Sequence, residues 1–474
     1  MDEDETRMER TIVACLMFAS LLLLAFPNMV AAQSSPSTYT IQTTLLDQAQ
    51  QNTIAFDAFA FVTGNACSDT FLPPGELGDF FGFQYHRDND QSVLGHSGEY
   101  LTGAANNVLL ILSANQKTQL VTLAANQVDS INQYALNRFP LIEAINRQLQ
   151  GDLPAGSQGL DKSAVMTYSA SSAMYGLDAD LTLQRAKVYA EILNSLSPTQ
   201  IAYLNQMAAE GSASWPQVTN QLSQMNLSND ENVAVMGYAA DIFSWYTGSV
   251  TADTYFSPER EAAYFGGFYL KDAPTMGNPS YVISTNLTGG SGQAFLAVLT
   301  ASQSQLITSL VNTQRTDLNT IVQTRQTIAT QLRTLLTGGS VNQQTVTSLM
   351  ETYGQLDGEM SYYYATHFTQ LYATLSSTQK TQLAAMRQKL NNITCSGAYL
   401  YAQNIAMPTI ENTDFLFGGA STTSITVSSV PAGANLVSAD GSSITTPQTF
   451  NTYALRRVID FLRQWLPLQL LKLV

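Results

Sequence analysis

The fold is decided by the stretch Leu299-Thr-Ala-Ser-Gln303 and by the long segment that follows it as far as Leu336. Thr300 has the hydroxyl group of a helix N-cap, and Gln303 stands three residues later, where a glutamine completes a capping box. Three further stretches repeat this design: Leu112-Ser-Ala-Asn-Gln116, Leu196-Ser-Pro-Thr-Gln200 and Leu375-Ser-Ser-Thr-Gln379. The four stretches predict helix starts in the order long, short, long, short.

The segment after Thr300 has the periodicity of an amphipathic helix. Gln314 and Arg325 interrupt an otherwise apolar heptad seam, which consists of Ile307, Val311, Leu318, Ile321, Ile328, Leu332 and Leu335. Gly338-Gly339 then marks a turn before a second long helix, predicted over residues 342–374. Two long helices joined by a tight turn are expected to pack as an antiparallel hairpin.

The same order of elements occurs earlier in the chain. A long helix is predicted from the cap at Ser113 to about Leu149, followed by a turn at Gly151–Gly159 and a helix over residues 162–194. Each hairpin is followed by one of the short capped helices. The sequence therefore predicts two hairpins of similar construction.

An internal repeat accounts for this likeness. Residues 63–88 align without gaps with residues 247–272 at an offset of 184, while the first and third caps are related by 187 and the second and fourth by 179. This period is much longer than that of a solenoid repeat. We therefore predict a mainly α fold with two tandem helical-hairpin units, residues 54–237 and 238–397.

The start of the chain differs from these units. Residues 1–32 have the features of a signal peptide, with an apolar run over 11–26 and the small residues Val30-Ala31-Ala32 before the predicted cleavage point. Residues 33–53 are predicted to be a polar, flexible lead-in.

The C-terminal tail, residues 398–474, is predicted to be β-like or irregular. Residues 424–430 and 435–444 alternate like short strands, and residues 451–474 combine basic and apolar side chains. This last segment has too many charges to span a bilayer. It fits three interpretations: contact with a membrane surface, packing onto the body of the protein, or a frameshifted end.

Composition limits the possible partners. The chain has a net charge of −15, and residues 1–32 carry five acidic and two basic side chains, so the mature chain carries −12. Only 12% of the residues are charged. An acidic protein repels the phosphate backbone of nucleic acids, so we expect no nucleic-acid partner. The many Gln, Asn, Ser and Thr residues suit an exported protein, periplasmic or extracellular.

Two cysteines remain after removal of the signal peptide, Cys67 and Cys395. Two cysteines in an exported protein predict one disulfide bond. The alternative is a pair of buried free thiols.

A polar stripe follows each of the two predicted long helices at a spacing of eleven residues. The stripes consist of Gln116, Gln127 and Arg138 in the first helix, and of Gln303, Gln314 and Arg325 in the second. Eleven residues are close to three helical turns, so neighbours in a stripe lie about 16 Å apart on one face. Either the stripes form a track for a ligand or partner, or they are buried and fix the register of paired helices. We favour the second interpretation, because isolated polar residues in an apolar seam usually specify packing.

Metal binding is weakly indicated. One loop holds several possible ligands: His86, Asp88, Asp90, His96 and Glu99. It lacks the glycine that an EF-hand loop needs at its sixth position. A solvated loop is the better interpretation, so we predict no metal site.

Catalytic motifs are also missing from the sequence, which has neither a Gly-x-Ser-x-Gly elbow nor a phosphate loop. Two carboxylate pairs, Asp178 with Asp180 and Asp357 with Glu359, are expected on solvated helix faces. We predict no catalytic residue and no cofactor, although a hydrolase with an unrecognised site stays open.

The paired Leu-Ser/Thr-x-x-Gln motifs resemble those of the Spy/CpxP family of periplasmic proteins, also called the LTXXQ-motif family. The resemblance covers roughly residues 100–210 and 287–390. It implies curved, all-helical hairpins that usually dimerise, and a role as an ATP-independent chaperone or as a sensor of envelope stress or metals. The chain departs from the family in charge, because Spy-type concave surfaces are basic.

We therefore expect an exported, non-enzymatic protein that binds a protein client or partner in a chaperone-like or sensory role. The alternative is a structural or surface-assembly protein of the cell envelope, which the Ser/Thr/Gln/Asn-rich composition and the β-like tail favour.

Overall fold

The computed structural model describes residues 47–63, 99–210, 214–223, 225–250, 288–390, 398–399, 404–405, 410 and 412–419. All of these residues belong to one compact unit, Thr40–Val474. This part of the chain is mainly helical, as predicted. None of its helices is both long enough and apolar enough to cross a membrane.

Helix α1 spans Asp47–Thr63. The helices after it form a first group: α2 (Glu99–Ile111), α3 (Ala114–Gln150), α4 (Lys162–Ala170), α5 (Tyr175–Asn194), α6 (Pro198–Ala209) and α7 (Asn229–Thr247). Helix α3 packs against α5, and α7 packs against α2 and α3. Gly151 ends α3 in the left-handed conformation (φ 73°), where its N–H binds the carbonyls of Arg147 and Gln148.

A second group comprises α8 (Thr288–Val298), α9 (Ala301–Thr308), α10 (Leu310–Arg333), α11 (Gln343–Thr374) and α12 (Ser377–Leu390). Helix α10 packs against α11 along its length. A 3-10 turn, Thr334–Thr337, links them and ends at the left-handed Gly338 (φ 76°). After α12, two-residue strands β1 (Ala398–Tyr399) and β2 (Asn404–Ile405) form an antiparallel pair.

Segments at both ends of the described chain cross to the more distant group. Helix α1 packs against α8 and also contacts α9, α10, α11 and α12. Residues 412–419 return to the first group, where Arg147 donates hydrogen bonds to Thr413 (2.9 Å) and Asp414 (2.8 Å). There the backbone of Phe417 also pairs with Leu160. Helix α1, in the early part of the chain, thus completes the second group. Residues 412–419, in the late part of the chain, cover the turn of the first group.

The two groups meet where α11 crosses α4 and α5. Two glycines of α11 permit this close approach. A Cβ atom on Gly354 would lie 2.7 Å from the side chain of Tyr175, and one on Gly358 would lie 2.9 Å from the Cα atom of Met166. The helix backbones therefore approach more closely than any larger residue allows.

Four details of the predicted architecture need correction. The long helix predicted from the cap at Thr300 to Leu336 is divided into α9 and α10 at Ser309, and its last residues form the 3-10 turn. The helix predicted over residues 162–194 is broken between Ala170 and Tyr175, where Asn137 donates a 2.7 Å hydrogen bond to the freed carbonyl of Ala173. Residues 47–53 of the predicted flexible lead-in belong to α1, and the predicted boundary at 237/238 falls inside α7. Helix α1 packs against the second group, and α7 packs against α2 and α3. This packing holds residues 47–53 and 237–238 in helical form.

Several predictions concern residues outside the described part of the chain. These are the signal peptide (1–32), Cys67, Cys395, the loop with His86, Asp88, Asp90 and His96, and the basic segment 451–474. They stay predictions.

Candidate functional site: glutamine clasps and buried polar stripes

The first two capping boxes form as predicted and also bind each other. Ser113 and Gln116 cap α3 reciprocally, and Ser197 and Gln200 do the same for α6. The Nε2 of Gln200 then donates to the side-chain oxygen of Gln116 (2.8 Å) and to the carbonyl of Ile111 (2.8 Å). Gln116 in turn donates to the hydroxyl of Ser195 (2.9 Å). We call this pair, Gln116 with Gln200, the first clasp.

The other two capping boxes form an equivalent second clasp, Gln303 with Gln379. The Nε2 of Gln379 donates to the side-chain oxygen of Gln303 (2.7 Å) and to the carbonyl of Val298 (3.0 Å). Gln303 donates to the carbonyl of Thr374 (3.0 Å). Val298 and Thr374 are the repeat equivalents of Ile111 and Ser195, so the glutamines of the two clasps bind equivalent residues. The recurring glutamine thus caps its own helix and ties it to a second helix start.

Gln127, the middle residue of the first stripe, is fully buried. Its amide nitrogen donates to the carbonyl of Leu181 and to the side chain of Gln184, both at 3.0 Å. Its oxygen accepts from Arg185 (3.0 Å) and from the Tyr238 hydroxyl (2.9 Å). These four bonds use the full capacity of an amide side chain. Gln127 thereby joins α3 to both α5 and α7.

Gln314 has the same place in the second group and is also fully buried. Its Nε2 donates to the side chain of Gln50 in α1 (2.8 Å), and its oxygen accepts from the Tyr364 hydroxyl of α11. Tyr364 is the repeat equivalent of Arg185, so different residue types serve the same acceptor in the two groups. Gln314 therefore joins α10 to α11 and to α1.

The arginines at the ends of the stripes are buried too. Arg138 is 4% exposed and Arg325 is 0% exposed. The guanidinium of Arg325 lies 5.5 Å from the ring centre of Tyr353, and this ring makes an edge contact with Tyr175 of the first group. Since all six stripe residues lie in the interior, the stripes offer no open track along the helices. This arrangement agrees with the interpretation that they hold helices in register.

Two aspartates occupy buried positions that the sequence interpretation had assigned to solvated faces. Asp178 and Asp357 are both 0% exposed. Asp357 accepts a 2.8 Å hydrogen bond from the Tyr175 hydroxyl across the group interface, and Asp178 accepts from Thr182 at 3.0 Å. Their equivalence in the repeat, at an offset of 179, was the signal that could have revealed a shared interior role. Asp180 is exposed and Glu359 is half-buried, so neither predicted carboxylate pair lies wholly on a solvated face.

Glu359 belongs to a half-buried polar cluster at the group interface. Lys162 of α4 donates to the Glu359 carboxylate and to the Tyr363 hydroxyl (2.8 Å), which itself donates to Glu359 (2.6 Å). Hydrogen bonding to Glu359 raises the pKa of Lys162. Burial acts to raise the pKa of Glu359, but the bonds from Lys162 and Tyr363 lower it below its ordinary value. Burial, with the nearby charge of Glu359, raises the pKa of Asp317 to about 6.

Two large apolar side chains lie exposed beside the first clasp. Leu110, just before Ile111, is 46% exposed, and Ile201, just after Gln200, is 37% exposed. Their repeat equivalents at the second clasp are Ala297 and Lys380, and Lys380 lies over the ring of Tyr372. The two clasps therefore have equivalent internal hydrogen bonds but different side chains on the adjacent surface.

Metal ligands do not gather in this part of the molecule: the described residues contain no group of three or more His, Cys, Asp or Glu side chains placed to hold an ion. Comparison of the chain with protein-family models, curated proteins and solved structures finds no match.

Proposed function

We propose that the chain is a tandem duplication of a helical-hairpin unit, followed by an irregular tail with short strands. The support comes from the two groups of helices. Each has a long helix, a turn with a left-handed glycine, a second helical segment and a short capped helix. The paired clasps also suggest a relation to the Spy/CpxP family, whose motif occurs twice in each hairpin.

We further propose that the protein is an exported, non-enzymatic binding protein with a chaperone-like or envelope-stress sensory role. The observation that carries this proposal is the exposure of Leu110 and Ile201 beside the first clasp. The stripe residues are buried within the protein and cannot contact a client, so a client has to bind on the outer surface. Exposed apolar side chains attract the apolar segments of unfolded chains, and the net negative charge keeps the binding protein itself soluble.

A client-aggregation assay tests this role. The mature chain should reduce light scattering by a chemically denatured reporter protein diluted from urea. The double variant Leu110→Ser/Ile201→Lys should lose most of this effect. Thr327→Lys, an exposed change on α10, is the matched control and should retain it. Equal suppression by all three proteins would exclude the Leu110–Ile201 surface as the client site.

The alternative function is structural or surface assembly in the cell envelope. The acidic composition rich in uncharged polar residues and the predicted β-like tail favour it. Polymerisation of the mature chain that rises with concentration, together with no effect on client aggregation, would support this alternative.

We also propose that nucleic acid is not a partner and that the basic segment 451–474 contacts membrane surfaces. Binding of the mature chain to anionic lipid vesicles, and its loss on deletion of 451–474, tests the latter.

A further inference from the structure

Helix α1 fills a shaped site on the second group. Its side chains Ile54, Ala58 and Phe59 are fully buried, and the Phe59 ring lies 5.8 Å from that of Phe295 in α8. Further along, Phe61 contacts Phe368 of α11 at 5.5 Å. The buried bond between Gln50 and Gln314 fixes the position of α1 along α10. Apolar contacts thus hold α1 in a groove of the second group, and the hydrogen bond between Gln50 and Gln314 sets its register along α10.

The first group has the same kind of site, but a different segment fills it. The repeat offset of 184 places Phe59 at Phe243, Asp57 at Asp241 and Thr63 at Thr247, so α7 is the sequence equivalent of α1. Helix α7 packs on α2 and α3, and its Tyr238 binds Gln127. Each group is thus closed by one helix of this type. The first group is closed by its own last helix, α7, whereas the second is closed by a helix that precedes the whole first group.

The chain between α1 and the second group is therefore long. The segment 64–98 alone, which joins α1 to α2, could extend to at most about 120 Å, and the first group lies between it and α8. The site on the second group selects the α1 sequence by its contacts, not by a short connection. A second copy of the chain carries the same helix with the same contacts.

We propose that this site also takes α1 from a second copy, so that copies associate by exchange of Asp47–Thr63. Reciprocal exchange gives a closed dimer, and one-way exchange gives a head-to-tail chain. The exchanged helix makes the same contacts in both arrangements, so protein concentration sets the balance between them. The exchange is independent of client binding, because Leu110 and Ile201 lie on the first group.

A complementation experiment with the mature full-length chain tests the exchange. Phe59→Asp disables α1 as a donor, and Phe295→Asp disables the acceptor site, because each places a carboxylate in an apolar contact. Neither variant alone should exchange. Mixed together, the intact α1 of the Phe295→Asp chain should enter the intact site of the Phe59→Asp chain, giving a one-to-one heterodimer in analytical ultracentrifugation. Wild type mixed with Phe295→Asp is the control and should give much less heterodimer, because its site is already filled.

Absence of heterodimer from two variants that retain the helical circular dichroism of the wild type overturns the proposal. If either variant loses this signal, the proposal is tested with the wild type alone. The wild-type chain is refolded from urea at concentrations from micromolar to near-millimolar, and its dimer fraction is measured. A dimer fraction that rises with concentration and persists on dilution supports exchange, whereas a monomer at every concentration refutes it. The client assay on the same samples reports separately on the proposed binding function.

Discussion

Gln200 donates a 2.8 Å hydrogen bond to the side-chain oxygen of Gln116, so two helix caps far apart in the sequence stabilise each other. Gln379 makes the same bond to Gln303 in the second group. Each glutamine that completes a capping box therefore also contributes to tertiary structure. This double role distinguishes these four caps from an ordinary capping box, such as that of Ser228 and Glu231 at the start of α7.

Loss of a clasp should cost more than loss of a cap. Gln200→Ala removes the capping bond to Ser197 and the donors to Gln116 and Ile111, so we expect stability to fall by about 2 kcal/mol. The matched control, Glu231→Ala, removes a capping box without a clasp and should cost about 1 kcal/mol or less. Urea denaturation followed by circular dichroism measures both. Equal unfolding midpoints would show that the clasp contributes no stability.

Arg325→Ala should be strongly destabilising, by about 3–5 kcal/mol, because it removes a large, fully buried side chain and its contact with the Tyr353 ring and leaves a cavity. Arg138→Ala should behave similarly. Arg325→Lys should not restore stability, since an ammonium group lacks the planar guanidinium that lies over Tyr353. Arg315, 42% exposed on the same helix, supplies the control, and its alanine variant should melt close to the wild type. Unchanged melting temperatures for Arg325→Ala and Arg138→Ala would contradict this role.

Gly358→Ala should destabilise the protein by about 1–3 kcal/mol, because the added methyl group meets the backbone of α4 at Met166. Gly103→Ala in α2 is the matched control. Its methyl group would lie 3.7 Å from the Trp215 ring, an ordinary contact. That variant should be neutral or more stable by up to about 1 kcal/mol, the difference in helix propensity. Thermal melts of both variants and the wild type measure these effects. A Gly358→Ala variant that is more stable than the wild type would disprove the close crossing of α11 and α4.

Stability should depend on pH through Asp317. Its pKa in the folded protein, about 6, lies above the ordinary value, so the folded state holds this proton more tightly than the unfolded chain does. The contribution is therefore present at acid pH and is lost as pH rises from about 4 through 6. Asp317→Asn should remove the loss and be more stable than wild type at pH 7, by about 1 kcal/mol after allowance for solvent screening.

Carboxyl NMR titration checks the cause of this pH dependence. Glu359→Gln removes a neighbouring negative charge and should lower the pKa of Asp317. An Asp317 titration at the value of an ordinary exposed aspartate, in wild type and variant alike, would rule out the proposed coupling.

The parts of the structure that depend on neighbours along the chain could be predicted from the sequence. The capping boxes require only residues three apart, so Ser113 with Gln116 and Thr300 with Gln303 were recognised correctly. Burial of the stripes was the favoured interpretation, because their apolar neighbours repeat with the helical period. The mainly helical fold follows from the same periodicity.

The parts that depend on contacts between distant segments could not be predicted in this way. Arg185 and Tyr364 serve equivalent acceptors with unlike side chains, so comparison of the repeats does not connect them. Asp178 and Asp357 are expected on solvated faces because charged residues are usually exposed; their equivalence in the repeat indicates a shared role but not the residues that they contact. Nothing local to Asp47–Thr63 indicates that its partner is the second group.

The crossing of α1 and residues 412–419 to distant groups sets an order of events during synthesis. Helix α1 leaves the ribosome first, yet the helices that receive it begin only at Thr288. The segment covering the turn of the first group is made later still. Helix α1 therefore has no complete binding site until the chain has been made as far as α12, and pairings of such long sequence separation form slowly. Under the export that we propose, a translocation channel that accepts only unfolded polypeptide would therefore receive α1 before its binding site on the second group had formed.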